Sequence, residues 1–214
     1  STQPERFSQE LLEERKAKIG PTKFDLHYRL DCSLADVDKY PLRLSDLVVF
    51  DVDPEVFPER VVWASAEPYK HLPSFGMSGD KLYKPMYISP SFIPYTQTIV
   101  FVDPSGRGSD ETAVCVAPTV NGYVVIHELF GLDGVYDDKT LEKIAKKALQ
   151  YNASEIRIES NFGDGTVAAL MRPIAARICG QISVADYRVQ GSKEARMINN
   201  IEPVMASHRL VFNS

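Results

Sequence analysis

Cysteine is scarce in this chain, with three among 214 residues, Cys32, Cys115 and Cys179, and no CxxC pair. An odd count without ligand spacing excludes a disulfide framework and points to reduced, mostly buried thiols in a cytosolic setting. It also argues against zinc, whose sites draw on closely spaced Cys and His. His27 has no second ligand nearby in sequence and reads as a packed side chain. His127 and His208 are single residues in strand-like contexts, which are core or surface positions more often than catalytic ones. Long apolar runs are missing as well. None approaches the roughly 20 residues that span a bilayer, and the polar start Ser1-Thr-Gln-Pro-Glu-Arg-Phe7 holds no apolar signal core, so no membrane association is expected. Positive charge is in deficit: the net charge of −5 argues against a protein that coats nucleic acid over its whole surface. The pattern GxxxxGK[ST] is absent, and Gly106-Arg-Gly108 has no helix directly after it, so a nucleotide phosphate loop is not expected.

The rest is ordinary for a folded protein, 44% hydrophobic and 25% charged, long enough for one domain with a long appendage or two small ones. Charge is uneven. From Gly165 to Ser214 six Lys/Arg face three acids, a locally basic stretch on an acidic body. Such a surface suits a phosphodiester, although a solvated face of mixed charge reads the same way.

Ser8 to Ile19 reads as a helix with Ser8 as N-cap, acids early and Lys/Arg late, ended by Gly20-Pro21. Thr22 to Leu30 reads as a second short helix, and Leu44–Asp51 and Val61–Ala64 as strands. Five prolines between Glu67 and Tyr95 (Pro68, Pro73, Pro85, Pro90, Pro94) predict an extended arm with little regular structure. The expected division is therefore residues 1–95, a helical segment with short strands and a Pro-rich arm, and residues 96–214, a regular core.

In that core, strands are predicted at Gln97–Asp103, Thr112–Ala117 and Gly122–Phe130, with Asn121-Gly122 as a strong hairpin signal. A helix at Asp138–Tyr151 follows, with Leu141, Ile144, Ala145, Ala148 and Leu149 on its apolar face. Strand Glu155–Glu159 then makes this helix a crossover to a parallel partner. A helix at Thr166–Cys179 buries Val167, Leu170, Met171, Ile174 and Ile178, and Pro173 is expected to kink it or mark its true start. Strand Ile182–Val189, helix Lys193–Ala206 and strand Arg209–Phe212 complete the order.

Ile99–Val102 reads as a strand buried on both faces that delivers Asp103 and stops at Pro104. Glu159 ends a second strand in the same way. Three antiparallel strands followed by helix-linked parallel strands is the order of the ribonuclease H-like fold, an α/β mixed sheet flanked by helices. In it the fourth strand lies beside the first, so Asp103 and Glu159 share one end of the sheet, where ligands collect in open α/β sheets. Two close carboxylates repel unless a cation lies between them. Mg²⁺ or Mn²⁺ suits all-oxygen ligands, and a metal pair would activate the attacking water and stabilise the leaving oxygen. Further acids are candidates: Asp110, if the glycine turn folds it back, and Asp164, although Asp164-Gly165 also suits a helix N-cap. Asp-Pro is a common turn, so Asp103 alone carries little weight; its pairing with Glu159 carries the reading. Arg107, Lys193 and Arg196 are candidate DNA-phosphate contacts, the last two one turn apart at a helix start.

The stretches Asp103-Pro-Ser-Gly-Arg-Gly-Ser-Asp110, Ile158-Glu-Ser-Asn-Phe-Gly-Asp-Gly165 and Lys193-Glu-Ala-Arg-Met-Ile198 resemble the nuclease domain of phage terminase large subunits, of the short-tailed phage type. Pro4-Glu-Arg-Phe-Ser8 and Phe24-Asp-Leu-His-Tyr-Arg-Leu30 resemble that family's segment after its ATPase core. The resemblance implies a metal-dependent endonuclease that cuts concatemeric double-stranded viral DNA during packaging in the host cell cytoplasm. Its partners would be the portal protein and procapsid, the small terminase subunit, and an ATPase domain of the same longer protein. Asp103 and Glu159 would be the catalytic acids, with Asp110 a further ligand, and an Asp-rich helix would follow beyond Ser214. Two other readings stand beside it. One is a portal or procapsid docking module that holds DNA passively, favoured by the Pro-rich arm. The other is another nuclease of the same fold, such as a junction resolvase.

Overall fold

The computed structural model describes residues 8–20, 24, 41–68, 81–105, 110–134, 136–161 and 164–214. In chain order its elements are α1 (Gln9–Ile19), β1 (Val48–Phe50), β2 (Val56–Pro58), β3 (Val61–Pro68), β4 (Tyr83–Ile88), β5 (Phe92–Pro94), β6 (Gln97–Asp103), β7 (Thr112–Val120), β8 (Tyr123–Ile126), β9 (Glu128–Leu132), α2 (Asp138–Gln150), β10 (Glu155–Glu159), α3 (Thr166–Cys179), β11 (Ser183–Tyr187), α4 (Lys193–Ala206) and β12 (Leu210–Asn213). They form two units, neither a single stretch of chain: residues 1–49, 62–86 and 191–210, and residues 50–61, 87–190 and 211–214.

In the first unit α1 starts where expected, because the Ser8 side chain accepts the Leu11 N–H at 3.2 Å. It ends at Gly20, whose φ of 84° a side chain would resist. A Cβ at Gly20 would also lie 2.9 Å from the buried Glu202 carboxyl on α4, so a glycine is needed there twice over. The expected helix at Thr22–Leu30, including His27, lies almost wholly outside the described residues, as does Cys32. The expected strand at Leu44–Asp51 is shorter: a 3₁₀ turn takes Leu44–Asp46, and the strand is Val48–Phe50. β1, β4 and β3 are neighbours in that order, with Val48 opposite Tyr83 in a parallel pair. His208 lies stacked on Trp63, centroids 3.6 Å apart, its Nδ1 3.1 Å from the Asp46 carbonyl oxygen.

Where it is described, the Pro-rich stretch is more regular than expected; residues 69–80, with Pro73, lie outside the described residues. β4 contains Pro85, and β5 ends on Pro94 while pairing with β2 in a two-stranded antiparallel sheet. A proline removes one donor only: Pro94 closes β5 in a two-stranded sheet where both strands are edges, whereas β4 lies between β1 and β3 and its Pro85 offers neither neighbour an N–H.

The second unit is built on a sheet in the order β11-β10-β6-β7-β8-β12, with β9 also paired to β7. β6 runs antiparallel to β7 and parallel to β10, and β10 runs parallel to β11. This is the ribonuclease H-like order, with α2 and α3 as the crossovers. The Asn121-Gly122 turn has φ of 50° and 76°, both positive as a type I′ hairpin requires. The expected single strand Gly122–Phe130 is two, because the register slips by one. Thr119 faces Val124 but Val116 faces Glu128, so residues 125–127 oppose only 117–118. Pro118 explains the bulge: it lacks the N–H that a continuous ladder needs, and a proline in a central strand is found at such bulges.

Buried Val100, Val102, Val114, Val116, Ile156 and Ile158 form one face of the sheet, and Leu141, Ile144, Ala145, Met171 and Ala175 of the helices cover it. Two helix-face expectations fail: Leu149 and Leu170 are 55% and 40% exposed, while Thr140 and Ala168 are buried instead. Pro173 does not begin α3, which starts at Thr166 and continues through Pro173 to Cys179. Pro173 removes the N–H that the Ala169 carbonyl would accept, and both residues are exposed, where that loss costs least.

Candidate functional site

Strand alternation builds the site. On β6, Val100 and Val102 enter the core while Phe101 and Asp103 take the opposite face; on β10, Ile156 and Ile158 are buried while Glu155, Arg157 and Glu159 take that same opposite face. The parallel register pairs Ile158 with Val102, so the next step carries Glu159 to the level of Asp103 on the neighbouring strand. Ala113 and Tyr187 continue this row on either side. Adjacent strands lie about 4.8 Å apart, which brings the two carboxylates within reach of one shared cation. The expectation that Ile99–Val102 is buried on both faces holds only in part: Phe101 is half-buried on the site face.

Both strand ends are anchored just beyond the acids. After Asp103, Pro104 and Ser105 are buried; the Ser105 N–H donates to Thr112 Oγ1 at 3.0 Å, and the Thr112 hydroxyl donates to Ser105 Oγ at 3.2 Å. This clasp closes the base of the glycine turn, whose residues 106–109, including Arg107, lie outside the described residues. After Glu159, the Ser160 N–H and hydroxyl donate to the Tyr187 carbonyl at 2.8 and 3.1 Å. The Asn161 amide then exchanges hydrogen bonds with the Val189 backbone at 3.0 and 2.8 Å. Side chains thus extend the β10–β11 ladder past its end and hold Glu159 in place.

Asp110 is exposed just before β7, and Asp164 is exposed in a left-handed conformation with φ of 47°, ion-paired to Arg188. The N-cap of α3 is Gly165 rather than Asp164. Among the described residues, no group of three or more His, Cys, Asp or Glu is placed to hold a metal ion. Asp103 and Glu159 offer an all-oxygen pair of a kind that would suit a hard cation such as Mg²⁺ or Mn²⁺ with water completing its shell. Lys193 and Arg196 open α4 in the first unit; Lys193 is exposed, and Arg196 Nε is buried with no hydrogen-bond partner among the described residues.

Residues missed from the sequence share the site face. Arg157 donates through Nε and Nη2 to Glu155 Oε1 and Oε2 at 3.0 and 2.8 Å, and its guanidinium lies 5.5 Å from the Phe101 ring centroid. The bonds to Glu155, opposed by burial and helped by the charge of Glu155, raise the Arg157 guanidinium above its ordinary value. Glu111 folds its carboxylate over Gly131, into the space a side chain there would fill. The period-2 alternation of Glu155-Ile-Arg-Ile-Glu159 was the available signal for Arg157. Cys115, also on this face, has its thiol pushed up to about 11 by burial, which leaves it protonated and inert at neutral pH.

The strand order and its helical crossovers define a ribonuclease H-like domain. The chain belongs to the family described as Terminase Bacteriophage T7, Ribonuclease H-like domain, which matches residues 102–210. It is 38% identical over 212 residues to the terminase large subunit of Enterobacteria phage T3, covering 98% of this chain and 36% of that protein. The chain thus spans about a third of that relative's length. The large terminase of a thermophilic bacteriophage matches 97% of this chain and 42% of its own, with a TM-score of 0.55 and 11% identity. A human cytomegalovirus terminase nuclease domain, Mn-soaked and inhibitor-bound, matches 56% of this chain and 64% of its own, with a TM-score of 0.42 and 16% identity. Among the described residues, no helix is long and apolar enough to cross a membrane.

Proposed function

We propose that this domain is the DNA-cutting part of a viral large terminase subunit, a metal-dependent endonuclease that hydrolyses phosphodiesters of concatemeric double-stranded DNA during packaging. The observation that carries the reading is the register that sets Glu159 level with Asp103 on one sheet face. Asp103 and Glu159 would hold Mg²⁺ or Mn²⁺, and such an ion, when bound, supplies an activated water and charge stabilisation for the leaving oxygen. The chain's own contribution is position. The Ser105–Thr112 clasp and the Ser160 and Asn161 bonds fix the two strand ends, so the carboxylates need little rearrangement. Asp110 is a further ligand candidate, and Arg107, Lys193 and Arg196 are candidate contacts for DNA phosphates.

In this reading residues 1–95 lead from an ATPase domain of the longer protein into the nuclease, and residues 96–214 form the nuclease core. Portal protein, procapsid and small terminase subunit are the expected partners, in the host cytoplasm. The test is a plasmid assay: nicking and linearisation with Mg²⁺ or Mn²⁺, stopped by EDTA. Asp103→Ala and Glu159→Ala should each abolish cutting while the circular dichroism spectrum is unchanged. Full activity in both variants would overturn the assignment.

A further inference from the structure

Arg157 stands on β10 two residues before Glu159, on the same sheet face, about 6.6 Å along the strand. That separation is comparable to the spacing of neighbouring phosphates on a DNA strand. Its guanidinium is held rather than free. Glu155 binds the Nε–Nη2 edge at 3.0 and 2.8 Å, and the Phe101 ring lies beneath at 5.5 Å. A guanidinium offers five N–H donors in a planar fork. Glu155 takes two, so the Nη1 donors and the second Nη2 donor make no hydrogen bond to any described residue. The Arg157 side chain keeps 36% exposure while Glu155 keeps 15%, so the cation is the more solvent-accessible member of the pair.

A solvent-facing ion pair contributes little to stability, because water screens it and both side chains lose rotamer freedom. Its clearer physical effect is to fix a planar cation in one orientation beside the acids, with its ordering cost met before a ligand arrives. Asp103, Glu159 and Glu155 would otherwise make this face repel a polyanion.

We propose that Arg157 is a DNA-binding residue whose Nη1–Nη2 edge receives a backbone phosphodiester adjacent to the one at Asp103 and Glu159. The assignment rests on the nuclease reading above. Glu155 and Phe101 are then positioning residues for the guanidinium, and the contact is independent of base sequence.

The test measures binding of the 214-residue chain to a short labelled DNA duplex by fluorescence anisotropy, in Ca²⁺, across a series of salt concentrations. Arg157→Gln should weaken binding and reduce the slope of log affinity against log salt by about one, as loss of one phosphate contact requires. Arg157→Met, which keeps the stem over Phe101, gives the same reading should the glutamine variant fold poorly. Arg157→Lys should restore the slope. Arg177→Gln removes the same charge from α3, where Arg177 pairs with Glu142 at 2.7 Å, and should leave the slope unchanged. Glu155→Gln breaks the same ion pair but keeps the cation, so the slope, which counts charges, should be retained even though the guanidinium is less ordered. An unchanged slope in both Arg157→Gln and Arg157→Met, or an equal loss in Glu155→Gln, overturns the proposal. A parallel plasmid assay with Mn²⁺ separates the two levels. If the unaltered chain nicks DNA while the Arg157 variants keep the full slope, this inference alone fails; if it neither binds nor nicks DNA, the nuclease reading fails with it.

Discussion

Replacing Ile158 by alanine tests whether the acid-bearing strand is held by the packing described. Ile158 is 1% exposed, lies in the core between sheet and helices, and directly precedes Glu159. The change deletes three carbons, each worth about 0.8 kcal/mol of transfer free energy. A cavity term adds to this, since sheet and helix backbones relax only in part, and the total is about 3–4 kcal/mol. For a chain of this length that lowers the melting temperature by about 6–16 °C. Leu149→Ala is the matched contrast. Helical periodicity places Leu149 on the buried face of α2, yet it is 55% exposed. It deletes as many carbons, but alanine is the better helix former and little apolar surface returns to water, so the cost is under about 1 kcal/mol. Urea unfolding followed by far-ultraviolet circular dichroism measures both, with the midpoint shift converted through an unchanged denaturant slope. An Ile158→Ala cost below about 1 kcal/mol, or a Leu149→Ala cost equal to it, would refute the packing argument.

Two further predictions concern titration and the acids. Burial lowers the His127 imidazole below its ordinary 6.5, against the opposing charges of Asp53 and Glu128. The unfolded chain therefore takes up a proton, as pH falls through 6.5, that the folded chain resists; stability is full above that pH and declines on acidification through the folded value. His127→Gln should flatten this decline in urea midpoints measured at successive pH values, and an unchanged profile would count against the burial argument. Asp164 is engaged by Arg188, so Asp164→Asn should leave Mn²⁺ affinity by calorimetric titration unchanged while Asp103→Asn weakens it severalfold or more. A loss in Asp164→Asn equal to that in Asp103→Asn would return Asp164 to the metal site.

Local chemistry alone determined much of this protein. β6, β10, α3 and α4 have the bounds that alternation, helical period and capping residues predict, and Asn121-Gly122 turns the hairpin because both positions accept positive φ. Strand order followed as well, since a helix between two strands enforces a right-handed parallel crossover. That order alone puts Asp103 and Glu159 at one end of the sheet. What remained depended on residues distant in sequence. Leu149 stays exposed because α2 packs through Leu141, Ile144, Ala145 and Ala148, a choice of face that its own apolar pattern did not reveal. The bulge at residues 125–127 answers a proline on a different strand, and the arm's β5 exists because β2 pairs with it. Asp164 reads locally as a cap or ligand; the fold sets it beside Arg188, 24 residues on, and gives the N-cap of α3 to Gly165. Arg157, clamped locally by Glu155, lies over Phe101 on the neighbouring strand, 56 positions earlier. A side chain's period is written in its own segment; the partner it meets is written in another, and only the folded sheet brings the two together.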